Sequence, residues 1–129
     1  MHEPPGALDL LKRTKQFALD SLEFYRRLPQ TQEAKTAGLQ FLRASSSVGA
    51  NYRAAKRGRS RAEFAARLGV VVEEADESVY WIEYMQDGHI CVRRCFTFRS
   101  ETAVRDLHSG LRHRERPLST FTSPLTSKP

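Results

Sequence analysis

Ser60-Arg61-Ala62-Glu63-Phe64-Ala65-Ala66-Arg67-Leu68-Gly69-Val70-Val71-Val72-Glu73-Glu74-Ala75-Asp76-Glu77-Ser78-Val79-Tyr80-Trp81-Ile82-Glu83-Tyr84-Met85 decides the fold. Its first four residues form an S-x-x-E capping box, in which the serine hydroxyl takes one orphan amide of a starting helix and the glutamate reaches back to another. Phe64, Leu68, Val71, Ala75, Ser78, Ile82 and Met85 then recur in unbroken four- and three-residue steps, with Val72 and Val79 beside them. That is the period of a helix that buries one face. The spacing predicts a helix over 60–87, closed by Gly88. On this register Trp81 and Glu74 stand at one flank of the seam, while Glu73, Asp76, Glu77, Tyr80 and Glu83 face outward.

Upstream, Thr31 offers an N-cap for a helix over 32–56, with Gly38, Phe41, Ser45, Val48, Tyr52 and Ala55 on one face. Its middle, Ala44-Ser45-Ser46-Ser47-Val48-Gly49-Ala50, has low helix propensity. The apolar period nevertheless runs through it, and small side chains let packed backbones come close. Before Pro29, residues 7–28 read as another helix, with Leu11, Ala18, Leu22, Tyr25 and Leu28 in helical steps and Phe17 and Phe24 widening the stripe. Downstream, the run from Ile90 to Phe98 fits a strand, a loop or a frayed helix. Ser100 can cap a helix over 100–114, which Gly110, Pro117 and Pro124 keep from continuing smoothly. Residues 119–129 are rich in Ser, Thr and Pro and are expected to be disordered. The expected architecture is all-α: one domain over 1–129, an antiparallel up-and-down four-helix bundle with an irregular fourth helix and a disordered C-terminal tail.

The chain has 129 residues, 40% of them hydrophobic and 28% charged. A core without disulfides is feasible at this size, and two cysteines four apart make no disulfide framework. No apolar run approaches the roughly 18 residues of a membrane span, and Met1-His2-Glu3-Pro4-Pro5 lacks the layout of a signal peptide. A soluble, cytoplasmic protein with no membrane partner is the expectation.

Net charge is +6, but its distribution is more informative. Residues 1–72 hold 13 basic and 6 acidic side chains, residues 73–87 hold 6 acidic and no basic ones, and residues 88–129 hold 8 basic and 3 acidic ones. The densest basic stretch, Arg53, Lys56, Arg57, Arg59 and Arg61, lies just before the acidic block Glu73, Glu74, Asp76 and Glu77. Both can be solvated helix faces that pair within or between subunits. The sharper alternative makes the basic stretch a phosphate-contacting patch, with Arg13, Lys15 and Arg43 as secondary candidates.

Catalytic patterns are missing. There is no Glu-x-x-His pair for a di-iron site, no glycine-rich dinucleotide or phosphate loop, and no G-x-S-x-G or nearby histidine around Ser45-Ser46-Ser47. Glu73 with Glu77 could bind a hard cation, but it reads as a solvated face or subunit contact. His89, Cys91 and Cys95 are three soft ligands without a defined fourth, a weak zinc signal. Trp81, Tyr80 and Tyr84 could stack on bases, although a flank tryptophan is more often core or interface. No catalytic residue, metal or cofactor is expected.

Arg13-Thr14-Lys15-Gln16-Phe17-Ala18-Leu19, Tyr25-Arg26-Arg27-Leu28-Pro29, Leu42-Arg43-Ala44-Ser45-Ser46-Ser47-Val48-Gly49-Ala50-Asn51-Tyr52-Arg53, Arg59-Ser60-Arg61-Ala62-Glu63-Phe64 and Glu73-Glu74-Ala75-Asp76-Glu77-Ser78-Val79-Tyr80-Trp81 carry a resemblance. Over about residues 8–87 the chain closely resembles the 23S rRNA-intervening-sequence protein family, also called the four helix bundle protein family. The resemblance implies a small bacterial four-helix bundle, assembled as a homopentamer, with no known catalysis. A distantly similar bundle, the accessory protein of diversity-generating retroelements, binds nucleic acid and contacts a reverse transcriptase. By that analogy a nucleic-acid or polymerase-accessory role is the expectation.

The combined expectation is a non-enzymatic homo-oligomer that binds RNA or DNA through backbone phosphates at Arg53, Lys56, Arg57, Arg59 and Arg61, with Arg43, Arg13 and Lys15 in support. Glu73, Glu74, Asp76, Glu77 and Trp81 would form the subunit interface, since a ring joins two different faces of each copy. The alternative is a scaffold or accessory subunit, for example of a reverse transcriptase, whose charge blocks dock a protein partner and never meet nucleic acid.

Overall fold

Thr31 and Ser60 set the starts of two of the helices in the computed structural model, which describes residues 7–91. Three helices occupy this span, α1 (Ala7–Arg26), α2 (Gln32–Ala55) and α3 (Arg61–Asp87), and there is no strand among the described residues. The expected fourth helix over 100–114, the tail over 119–129 and most of the ambiguous run after Ile90 lie outside the described residues. No helix among the described residues is long and apolar enough to cross a membrane.

α1 stops two residues short of the expected Leu28. Arg27 and Leu28 donate instead to the Phe24 and Tyr25 carbonyls at 3.1 and 3.2 Å, a tightened last turn. Pro29 accounts for this, because its ring disfavours helical geometry in the residue before it. The Thr31 hydroxyl accepts from the Ala34 amide at 3.3 Å and starts α2. α3 has the predicted serine cap, with Ser60 Oγ accepting from the Glu63 amide at 3.1 Å, whereas Glu63 Oε2 reaches one residue further back than a capping box does and accepts from the Arg59 amide at 3.0 Å.

The end of α3 differs in detail from the expectation of a glycine terminator. Gly88 keeps right-handed helical geometry, with φ −79, and it is His89 that turns left-handed, with φ 51. The His89 and Ile90 amides then reach back to Gln86 and Met85 at 3.1 and 3.0 Å. This paired closure is a Schellman motif, which needs one left-handed residue just past the helix.

The helices run antiparallel. Gly49 of α2 faces Thr14 of α1, whereas Gly38, earlier in α2, meets Leu28 and Tyr25. α2 packs against both α1 and α3, and no Cα of α1 comes within 8 Å of one of α3, so α2 is the central helix. Phe41, Val48 and Tyr52 of α2 share one buried cluster with Phe17 and Phe24 of α1 and Leu68, Val71, Ile82 and Met85 of α3. Phe24 and Phe41 meet edge to face, with centroids 5.3 Å apart, a favoured aromatic geometry.

On α1 the centre of the buried stripe is Leu10, Thr14, Phe17, Ser21 and Phe24, continued by Leu28 just past the helix, while Leu11, Ala18, Leu22 and Tyr25 are its half-buried flank. Thr14 and Ser21 disguised that register, because they place polar residues on the central line.

Candidate nucleic-acid interface

Lys12 and Lys15 are three residues apart on α1, and Arg53, Lys56 and Arg57 fall at i, i+3 and i+4 at the end of α2. Lys12 and Lys15 therefore share one face of α1, while Lys56 and Arg57 stand in the cap and turn just past α2, beside Arg53 of its last turn. Antiparallel packing brings the two sets together, and all five side chains line one groove of about 570 Å³. Apart from Leu11, the uncharged residues that line it are small. A Cβ added at Gly49 would stand 3.2 Å from the Thr14 carbonyl oxygen, tighter than ordinary contact, so the glycine lets the two helices pack closely here. Ala18, Ser46 and Ala50 fill little of the space above.

None of the described residues that line the groove is acidic. Like charges at i,i+3 or i,i+4 disfavour a helix by about 0.2–0.5 kcal/mol per pair. An anion lying between the walls would relieve that repulsion on both helices at once. Arg53 and Arg57 are exposed and Lys56 is half-buried, an arrangement that keeps charged heads near solvent while their stems lie along the helix.

The eight cations singled out by the sequence thus divide. Lys15, Arg53, Lys56 and Arg57 meet in the groove, whereas Arg13, Arg43, Arg59 and Arg61 do not line it. Arg43 acts instead on Glu74 of α3. Arg59 gives its amide to the α3 cap and stands, with Arg61, exposed at the α2–α3 turn. Sequence reasoning missed Lys12, although its three-residue spacing from Lys15 was a usable signal.

Opposite charge gathers on α3. Glu73 and Glu77 are exposed, and Glu74, Asp76 and Trp81 are half-buried. Glu74 has its carboxyl held above the ordinary value by burial first, then by the charges of Glu77 and Glu73, against a smaller opposing effect of Arg43. Trp81 donates its indole N–H to Glu77 Oε1 at 3.3 Å. Its ring contacts Tyr80 and Tyr84, centroids 5.1 and 5.3 Å away, and those two tyrosines are 55% and 47% exposed. Trp81 and Tyr84 also border a second groove, about 580 Å³, against Thr31, Glu33 and Thr36 at the start of α2.

Among the described residues no three His, Cys, Asp or Glu side chains gather as metal ligands. His89 is exposed and Cys91 buried, and Cys95 lies outside the described residues.

These observations define a protein whose described residues form three antiparallel helices and segregate a cation-lined groove on α1 and α2 from an acidic, aromatic face on α3. Residues 6–102 match the family of 23S rRNA-intervening sequence proteins, and the chain belongs to that family. A crystal structure of a protein of unknown function from the S23 ribosomal protein family of Bacteroides thetaiotaomicron is similar, with a TM-score of 0.74 and 25% sequence identity. That likeness covers 84% of this chain and 99% of the other. No curated protein matches the chain.

Proposed function

We propose that this protein is a non-enzymatic nucleic-acid-binding bundle of the bacterial cytoplasm that holds RNA or DNA by its backbone phosphates. The observation that carries the reading is the groove in which Lys12, Lys15, Arg53, Lys56 and Arg57 converge from two helices with no carboxylate among its described lining residues. Lysine and arginine there neutralise phosphates and release condensed counterions, which gives affinity with little sequence preference.

In the same reading the protein is a homo-oligomeric ring, five subunits by the family resemblance. The acidic α3 face of one subunit lies against the basic α2–α3 turn of the next, which uses Arg59 and Arg61 rather than Lys12, Lys15, Arg53 and Arg57. Such heterologous contacts close into rings, and several grooves on one particle bind by avidity.

Fluorescence anisotropy of labelled RNA and DNA at about 50 and 200 mM salt, with light scattering on the same sample, tests this reading. Reversing Arg53 and Arg57 to Glu is expected to weaken binding by orders of magnitude and flatten its salt dependence, with helix content unchanged. Unaltered binding would sink the assignment.

The exposed Tyr80 and Tyr84 beside Trp81 favour a second reading, a protein-docking scaffold. In that case salt dissociates the oligomer and free RNA does not compete with the partner.

A further inference from the structure

α3 carries charge of the unfavourable sign for its dipole at both ends, since a helix favours acids in its first turn and bases in its last. Arg59 and Arg61 are exposed at its start, where the acidic residue of the first turn, Glu63, is already engaged by the Arg59 amide at 3.0 Å and by Arg67 at 3.3 Å. Glu83 and Asp87 are exposed toward its other end, and the last turn holds no base. None of these four side chains joins an ion pair among the described residues. They cannot meet within one subunit, because α3 holds its own ends about 40 Å apart.

Two aromatic rings share the acidic end. Tyr80 and Tyr84 are both exposed, with ring centroids 6.2 Å apart and planes inclined at 35°. Glu83 follows Tyr80, and Asp87 follows Tyr84, by three residues, so each ring has a carboxylate one turn away on the same face. A guanidinium can stack on a tyrosine ring while its N–H fork pairs with a carboxylate. At the basic end, Arg59 and Arg61 flank Ser60, whose backbone is extended with φ −145 and ψ 163. Across an extended residue the two arginine Cα atoms stand about 6.7 Å apart, close to the spacing of the rings.

We infer that the last two turns of α3 receive Arg59 and Arg61 of a second copy, each guanidinium on one tyrosine and beside one carboxylate. The inference rests on the oligomer proposed above and places its contact at Tyr80, Glu83, Tyr84 and Asp87, one to two turns past the acidic block over 73–77. The start of one α3 then faces the end of the next, which relieves the adverse charge at both ends together. Two different surfaces meet, so each copy has one of each to offer.

A charge exchange tests this on the full chain, by light scattering over a dilution series at about 50 mM salt, where surface charges are weakly screened. Wild type is expected to associate. Arg59→Glu with Arg61→Glu, and Glu83→Arg with Asp87→Arg, are each expected to lose association alone, because each sets like charges against one another. An equimolar mixture of the two variants is expected to associate again, since each supplies the surface the other needs. Helix content is expected to hold in both, as each exchange suits the α3 dipole. Glu83→Gln with Asp87→Asn replaces the second variant if its helix content falls. Tyr80→Leu with Tyr84→Leu keeps every charge and a strong helix former, and is expected to weaken association about tenfold.

Undiminished association after the changes at Glu83 and Asp87, failure of the mixture to associate, or indifference to the loss of both rings overturns the inference and leaves an oligomer joined elsewhere. A monomeric wild type overturns the inference and the oligomer together.

Discussion

Four hydroxyl side chains are sealed in the interior, and each donates back to its own helix. Thr14 donates to Leu10 O at 2.7 Å, Ser21 to Phe17 O at 2.8 Å, Ser78 to Glu74 O at 2.9 Å and Ser45 to Leu42 O at 3.2 Å. Local bonding of this kind lets a polar group be buried without its full desolvation cost. Tyr52 is the exception. It is 0% exposed, and its hydroxyl is the one fully buried side-chain polar atom among the described residues without a hydrogen-bond partner. An unsatisfied buried donor costs about 1–3 kcal/mol. Tyr52→Phe keeps the ring and is therefore expected to raise stability by about 1 kcal/mol, read as a higher urea midpoint at unchanged slope. A lower midpoint would mean that the hydroxyl contributes a contact.

At the scale of the element, α3 rests on its first turn. Ser60→Ala removes the acceptor for the Glu63 amide and is expected to cost about 1 kcal/mol in urea unfolding; an unchanged midpoint would show that the cap contributes nothing. Glu63 has a carboxyl held below its ordinary value, chiefly by the Arg59 amide, against a smaller effect of desolvation and with help from Arg67. A depressed acid stabilises the fold above its unfolded value and loses that contribution as pH falls through the folded one. The window thus lies below the ordinary carboxyl value of 4.5. Each helix could be located from caps and spacing because those signals act within a few residues. The register of α1 was harder, since Thr14 and Ser21 look solvent-facing until their bonds to Leu10 and Phe17 are seen. His89 was missed at the end of α3 because a left-handed residue there is usually glycine, and Gly88 stood next to it.

Across the molecule, charge segregation leaves a pH signature. The Glu74 carboxyl titrates above its ordinary value, so the folded state binds more protons than the unfolded chain between 4.5 and the raised value. Stability must therefore fall as pH rises through that window. Glu74→Gln is expected to remove this part of the pH dependence and to leave a more stable protein near neutrality, as measured by urea midpoints across that range. A steeper dependence in the variant would place the strain elsewhere in the acidic face. The same substitution leaves Arg43 of α2 without the nearby carboxylate, an offset that limits the gain.

The amino-acid sequence by itself determined the three helices, their antiparallel order and most of the core on α2 and α3, because a capping box and a three- or four-residue period are properties of consecutive residues. It also marked a basic stretch and an acidic block. Tertiary structure alone decided which cations share a site. Lys12 and Lys15 are some forty residues from Arg53 and Arg57 along the chain, and no local period relates the face of one helix to that of another. Their meeting follows from how α1 crosses α2, and Gly49 permits that crossing because a glycine has no Cβ to strike the Thr14 carbonyl.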